Sequence, residues 1–237
     1  MLSVAACGGG SDDDGGGGGG GSGEALYSQP LSGGNTFACS TCHALVEPAP
    51  DGLTRPGHAI GNAFNRPNFK NGELGTLLEA VNVCRTQWQG AQPAWTAGDA
   101  DWQALENFLA EQAGDAPADP IAYEIVAPPQ VLLDDDVSGG DPARGREILN
   151  QTCVVCHGTD GIGPDAPGSP GLGPALIGNA TPIPPSRIGE WVRRRGPPDV
   201  DVYPGLIGGV MPFWAADRLT DQDVIDLAAW INNNTIP

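Results

Sequence analysis

The 237-residue sequence predicts an all-α fold in two tandem domains, and three observations lead there. Apolar residues recur at helical spacing in several stretches. The pentapeptide Cys-x-x-Cys-His occurs twice, as Cys39-Ser40-Thr41-Cys42-His43 and as Cys153-Val154-Val155-Cys156-His157. The residues around one copy can be laid over those around the other, an internal repeat of fold rather than of a short solenoid unit.

Cys-x-x-Cys-His is the attachment signature of c-type haem. Two thiols add across the porphyrin vinyls as thioethers, and the adjacent His is carried under the iron as its proximal ligand. The spacing is a matter of reach: on one helical turn Cys(i), Cys(i+3) and His(i+4) share a side and can face one macrocycle. The alternative is that Cys39, Cys42, Cys153 and Cys156 form a four-thiolate zinc site or two disulfides. The His after both pairs favours two covalently attached haem c groups.

On these motifs both halves resemble class I cytochromes c, so from about Gly23 onward the chain resembles a dihaem cytochrome c. The resemblance implies two tandem class I cytochrome c-like domains, each a few helices around a haem. The expected boundaries are a tether at 1–22, a first domain at 23–114, a Pro/Asp-rich linker at 115–140 and a second domain at 141–237.

Each half is short and rich in Gly and Pro, with little apolar side chain for a core, and a covalently held porphyrin would supply the missing apolar mass. The net charge of −18 and pI near 4.2 argue against nucleic acid or an anionic membrane face as partners. Basic or neutral redox proteins, one donor and one acceptor, fit better. Covalent haem attachment takes place outside the cytoplasm in bacteria, so the expected location is the periplasm or cell envelope. Met1 to Cys7 looks like the end of a lipoprotein signal whose charged start and apolar run are missing, with Cys7 as the lipidated residue. One lipid would anchor the chain to a membrane without spanning it. Gly8 to Gly23 offers nothing apolar to bury and reads as a flexible tether.

In chain order, Gly23 to Tyr27 and Gly145 to Leu149 each open a helix leading to its haem motif. Asp141 is the N-cap of the second, with Pro142 at its first position. An insertion, Ser28 to Phe37, precedes Cys39. Downstream, Gly57-His58 matches Gly173-Pro174. In class I cytochromes this Pro carbonyl accepts a hydrogen bond from the haem His, a role that falls to Pro174 for His157. A middle helix follows in each half, through Leu74, Leu77, Leu78 and Val81, and through Ile188, Trp191 and Val192 after a Ser186 cap. The last helices carry Trp102, Leu105 and Leu109, ending before Gly114, and Val224, Leu227, Ala228 and Ile231 after a Thr220 cap. The linker is expected to pack in extended form, through Ile125, Val126 and Val131-Leu132-Leu133.

A six-coordinate haem needs a distal ligand. Met211, just before the last helix, stands where class I cytochromes place their axial Met, and the only other methionine is Met1. The first half has no such Met. Its candidates are Cys84, which stands between the middle and last helices as Met211 does, and His58 or Lys70, the chain's one lysine. A thiolate needs positive neighbours, and Arg85 is adjacent. The segment Asn82 to Gly90 is similar to the region around the axial Cys of thiosulfate dehydrogenases.

Two functions follow. One is an electron carrier with a His/Cys and a His/Met haem. The other is an oxidoreductase acting on a small sulfur anion at the first haem, with Arg55, Arg66 and Arg85 as candidate anion contacts. Solvated loop charges or bonds to haem propionates are the plainer reading of these arginines. Arg193-Arg194-Arg195 reads as a charge match to a helix C-terminus or a propionate contact.

Overall fold

In chain order the helices are α1 (Gly23–Ser28), α2 (Cys39–Cys42), α3 (Leu77–Val83), α4 (Ala100–Ala113), α5 (Gln130–Leu133), α6 (Pro142–Thr152), α7 (Val154–His157), α8 (Pro185–Arg194) and α9 (Asp221–Asn233). They come from a computed structural model that describes residues 21–115, 117–163, 173–178, 183–197, 206–208 and 211–234. The Cys7 anchor and nearly all of the expected tether lie outside those residues. Among the described residues the only strands are β1 (Arg195–Gly196) and β2 (Ile207–Gly208), a short parallel pair. The all-α expectation therefore holds.

Helix ends follow the chemistry of their first residues. The Asp141 carboxylate accepts the Ala143 and Arg144 N–H groups, and Pro142 occupies the first turn. Thr220 and Asp223 form a reciprocal capping box on α9. The same box at Thr76 and Glu79 starts α3, so Leu74 falls outside the helix and bridges to Phe69 instead. Ser186 is not a cap: α8 begins at Pro185, and the Ser186 N–H donates to Asp135 of the linker at 2.9 Å. Glycine with φ 62°, Gly114, ends α4.

In each half the first helix crosses the last, and a glycine sits at the crossing. A Cβ on Gly23 would lie 2.2 Å from the Ala104 carbonyl oxygen, and one on Gly145 would lie 2.0 Å from that of Asp226. The main chains therefore touch, as the internal repeat requires. Around these crossings lie two apolar clusters. The first gathers Tyr27, Leu31, Trp95, Trp102, Leu105 and Leu109. The second gathers Leu149, Ile188, Val192, Trp214, Val224 and Leu227.

The linker is extended only in its first part. Residues 130–133 turn into α5, whose Leu132 is fully buried in the second cluster while Val131 and Leu133 remain 39% and 44% exposed. One apolar residue out of three thus does the anchoring.

Replacing Gly145 with Ala sets about 1 kcal/mol of helix propensity against a methyl that has no room. The clash wins, and a loss of at least 1–3 kcal/mol is expected in urea unfolding. Gly139→Ala, which meets nothing within 4 Å, is expected to be neutral or slightly stabilising. The Asp160 carboxyl is held below its ordinary pKa by hydrogen bonds from Arg146 and then Asn150. Its stabilisation is complete above the unfolded carboxylate pKa, about 4, and is lost as pH falls through the lower folded value. Thermal melts of Asp160→Asn should therefore fall below the parent at pH 7 and converge with it in acid.

Candidate haem sites

Both Cys-x-x-Cys-His segments form a single helical turn, closed by His43 N–H on the Cys39 carbonyl at 3.0 Å and by His157 N–H on that of Cys153 at 2.9 Å. Downstream the chain returns over that turn. Gly57 N–H donates to the Cys42 carbonyl at 2.9 Å, and Gly173 N–H to that of Cys156 at 2.6 Å. Only glycine allows this return, because a Cβ at Gly57 would lie 2.2 Å from His43 Cε1 and one at Gly173 would lie 2.7 Å from His157 Nδ1.

The return places a carbonyl on each imidazole. His43 Nδ1 donates to the His58 carbonyl at 2.8 Å, and His157 Nδ1 donates to the Pro174 carbonyl at 2.7 Å. A carbonyl only accepts, so Nδ1 holds the proton and Nε2 keeps its lone pair for a metal. Burial pushes the His43 pKa down to about 4 and lowers that of His157, so both rings are neutral at physiological pH. Tyr27 supports the first site from behind, donating its hydroxyl to the His43 carbonyl at 2.8 Å. Tyr27 lies 16 positions before His43, and no local pattern announces the contact.

Burial also raises the thiols. Cys39, Cys153 and Cys156 are pushed up to about 11. Cys42 is raised by burial and further by the nearby Cys84 and Cys156. These groups remain protonated near neutrality, and among the described residues no disulfide links Cys39, Cys42, Cys84, Cys153 or Cys156. Among the described residues no cluster of three or more His, Cys, Asp or Glu is placed to hold a metal ion.

Against His43 lies a cavity of about 250 Å³ with largely apolar walls. Cys39, Cys42, His43, Cys84, Lys70 and the His58 loop all line it, with Ile121 and Tyr123 of the linker and Pro212, Phe213 and Ala215 of the second half. Room, apolar lining, two thiols and a neutral imidazole fit a covalently held porphyrin. Around His157 the space is only about 20 Å³, closed by Met211, Trp191, Leu176 and Ile183. There the fit rests on the donor set, Cys153, Cys156, His157 and Met211, and a porphyrin requires the walls to part.

The distal candidates separate by position. Cys84 caps the C-terminus of α3 and starts a π-helical turn, Cys84–Trp88, a local widening that recurs at functional sites. Lys70, at φ 53°, lines the same cavity, and burial lowers its pKa. His58 spends its carbonyl on His43, while its Nε2 meets Asp217 at 2.7 Å.

The arginine expectations need correction. Arg85 does not face Cys84: it is 7% exposed, donates to the carbonyls of Ala91 and Pro93, and lies over Trp95. Lys70 and Arg66, not Arg85, are the cations sharing a cavity with Cys84. Arg55 is held by Asp51 and the Ser40 carbonyl, and of the three proposed anion contacts Arg66 alone reaches the cavity wall. Arg193 is fully buried and donates to the carbonyls of Trp214 and Leu219 and to Asp221, so it is an internal brace of α8 and α9.

Residues 140–231 match the family model described as cytochrome C oxidase, cbb3-type, subunit III. The second half is a cytochrome c domain. Covalently bound haem c is the cofactor that such a domain carries, and the donor set around His157 fits it. Over 86% of its length the chain is also similar to two curated thiosulfate dehydrogenases. It is 24% identical to that of Stutzerimonas stutzeri (strain A1501) over 205 residues, and 25% identical to that of Allochromatium vinosum over 213 residues. It covers 61% and 71% of those proteins, so it spans about three fifths of the first relative's length. Among solved structures, the "as isolated" thiosulfate dehydrogenase (TsdBA) of Marichromatium purpuratum is 23% identical, with TM-score 0.41, over 89% of this chain and 44% of that one.

In matured protein, Gly173→Ala is expected to push the His157 ring off the Pro174 carbonyl. Electron paramagnetic resonance should then show a displaced low-spin ferric signal for this domain, whereas an unmoved signal would mean that the ring is held by something else.

Proposed function

We propose that the chain is a dihaem c-type cytochrome that passes single electrons between a donor and an acceptor protein outside the cytoplasm. What carries this reading is the repetition of one arrangement: in both halves a Cys-x-x-Cys-His turn, a returning glycine and an imidazole bonded through Nδ1 to a main-chain carbonyl. Haem held at each site supplies a one-electron ferric/ferrous couple. Cys39 and Cys42, and Cys153 and Cys156, provide the thioether links, and His43 and His157 the proximal nitrogens.

The distal groups set the two sites apart. Met211 offers a thioether, which raises a potential, and Cys84 offers a thiolate, which pushes electron density to the metal and lowers it. Lys70 lines the same cavity as Cys84. We place the protein in the periplasm or cell envelope, with a lipid on Cys7 as its membrane tie. The domain boundaries follow the same repeat, with 23–114 and 141–237 as the two haem-bearing units. Among the described residues no helix is long and apolar enough to cross a membrane.

A second reading, oxidation of a small sulfur anion at the first site, is favoured by the relatives and by one observation. Cys84, Lys70 and Arg66 line a single cavity, which sets a sulfur nucleophile beside cationic groups.

Pyridine haemochrome analysis of matured protein is expected to give two haems per chain, and one per chain would overturn the proposal. Cys84→Met should raise the potential of one site while leaving the other in place. Steady-state turnover with thiosulfate and an artificial acceptor decides between the readings: turnover abolished by Cys84→Met establishes the enzyme, and its absence in holoprotein leaves the carrier.

A further inference from the structure

One loop of the second half, residues 211–218, reaches both sites. Met211 lines the second cavity, and Pro212, Phe213 and Ala215 line the first. Two and three residues further on, at Asp217 and Arg218, the loop grips the returning segment that carries the proximal carbonyl of the first site. The Arg218 side chain, 10% exposed, forms a two-pronged ion pair with Glu47. It also donates to the Arg55 carbonyl at 2.9 and 3.2 Å and to the Gly57 carbonyl at 3.5 Å. Beside it, Asp217 meets His58 Nε2 at 2.7 Å. Thr54 N–H donates to the Gln151 carbonyl at 2.9 Å, so the segment is tied to α6 as well.

We propose that Arg218 is a positioning residue for His43: from the second half it fixes the segment whose His58 carbonyl sets the orientation of the first half's proximal imidazole. The argument is one of geometry. Gly57 lies between two constraints, its N–H on the Cys42 carbonyl and its own carbonyl turned to the guanidinium. The next carbonyl along, that of His58, is the acceptor for His43 Nδ1. Moving the Arg55–Gly57 peptides therefore moves the acceptor, and the ring must turn with it. A guanidinium suits this role because its planar fork holds a carboxylate on one side and still has N–H groups for carbonyls on the other. A charge-assisted bond is also about twice as strong as a neutral one. The inference rests on the two-haem reading, since only a ligand at His43 would register the ring's orientation.

The test uses matured holoprotein. Arg218→Gln is expected to displace the low-spin electron paramagnetic resonance signal of the first site and its midpoint potential, with the second site unmoved. The signals are assigned with Cys39→Ala/Cys42→Ala. Glu47→Gln leaves Arg218 on its carbonyls, and a smaller displacement is expected. A merely structural role for Arg218 would lower the unfolding temperature and leave both signals in place, and that result overturns the proposal. Should Arg218→Gln not fold, Arg218→Lys is read the same way: an intermediate displacement supports the role and none overturns it. Haem content separates the two levels of failure. One haem per chain removes the two-haem reading, whereas two haems with unshifted signals remove only the positioning role.

Discussion

A buried imidazole whose Nδ1–H is committed to a main-chain carbonyl is the constraint on which the rest of this structure depends. The commitment fixes the tautomer, leaves Nε2 as the only basic nitrogen, and forbids rotation of the ring without loss of a buried hydrogen bond. It is made at 2.8 Å by His43 and at 2.7 Å by His157, with acceptors of different residue type. What recurs is the peptide carbonyl, not the proline. The glycine one residue before each acceptor matters more than the acceptor's side chain, because a Cβ at that point would occupy the ring's own space.

From that bond outward, close backbone contacts account for the rest of each half. The glycine of α1 and that of α6 let the first helix meet the last main chain to main chain, which brings the haem motif to the end of a rigid pair. Apolar clusters then form on the sides of that pair, around Trp102 and Leu105 in one half and around Leu149 and Leu227 in the other. The first half leaves a wide cavity beside its imidazole, and the second closes over its own with Met211 and Trp191.

Much of this was legible in the sequence, and the reason is locality. The haem motifs, the Asp141 and Thr220 caps, the buried stripe of α9 and the equivalence of His58 with Pro174 each rest on residues a few positions apart. What escaped was set by partners far along the chain. Arg85 sits next to Cys84 in sequence, yet the π-helical turn and the Ala91 and Pro93 carbonyls draw its side chain away. Ser186 has a capping side chain, but Asp135 of the linker already serves that helix end. Arg193 reads as a surface charge at a helix terminus and is instead fully buried, since Trp214, Leu219 and Asp221 supply acceptors that spacing cannot foretell. Arg218 belongs to the same class, its partners lying more than 160 positions upstream.

The fate of the arginines also shapes how the molecule meets others. Against 29 acidic residues the chain has only 11 lysines and arginines. Arg55, Arg144, Arg146, Arg193 and Arg218 are each engaged with a carboxylate, Arg85 and Arg66 with main-chain carbonyls, and Lys70 lines the first cavity. Much of the positive charge is thus paired within the chain, at enclosed positions for Arg55, Arg193 and Arg218 and at the surface for Arg144 and Arg146. The acidic excess is left to dominate the outer field, which acts over roughly a Debye length of 8–10 Å in physiological salt. A field of one sign attracts basic surfaces at long range and repels a second copy of the same chain. In this fold the wall of the first cavity is made in part by Pro212, Phe213 and Ala215, so the second half helps to shape the first site.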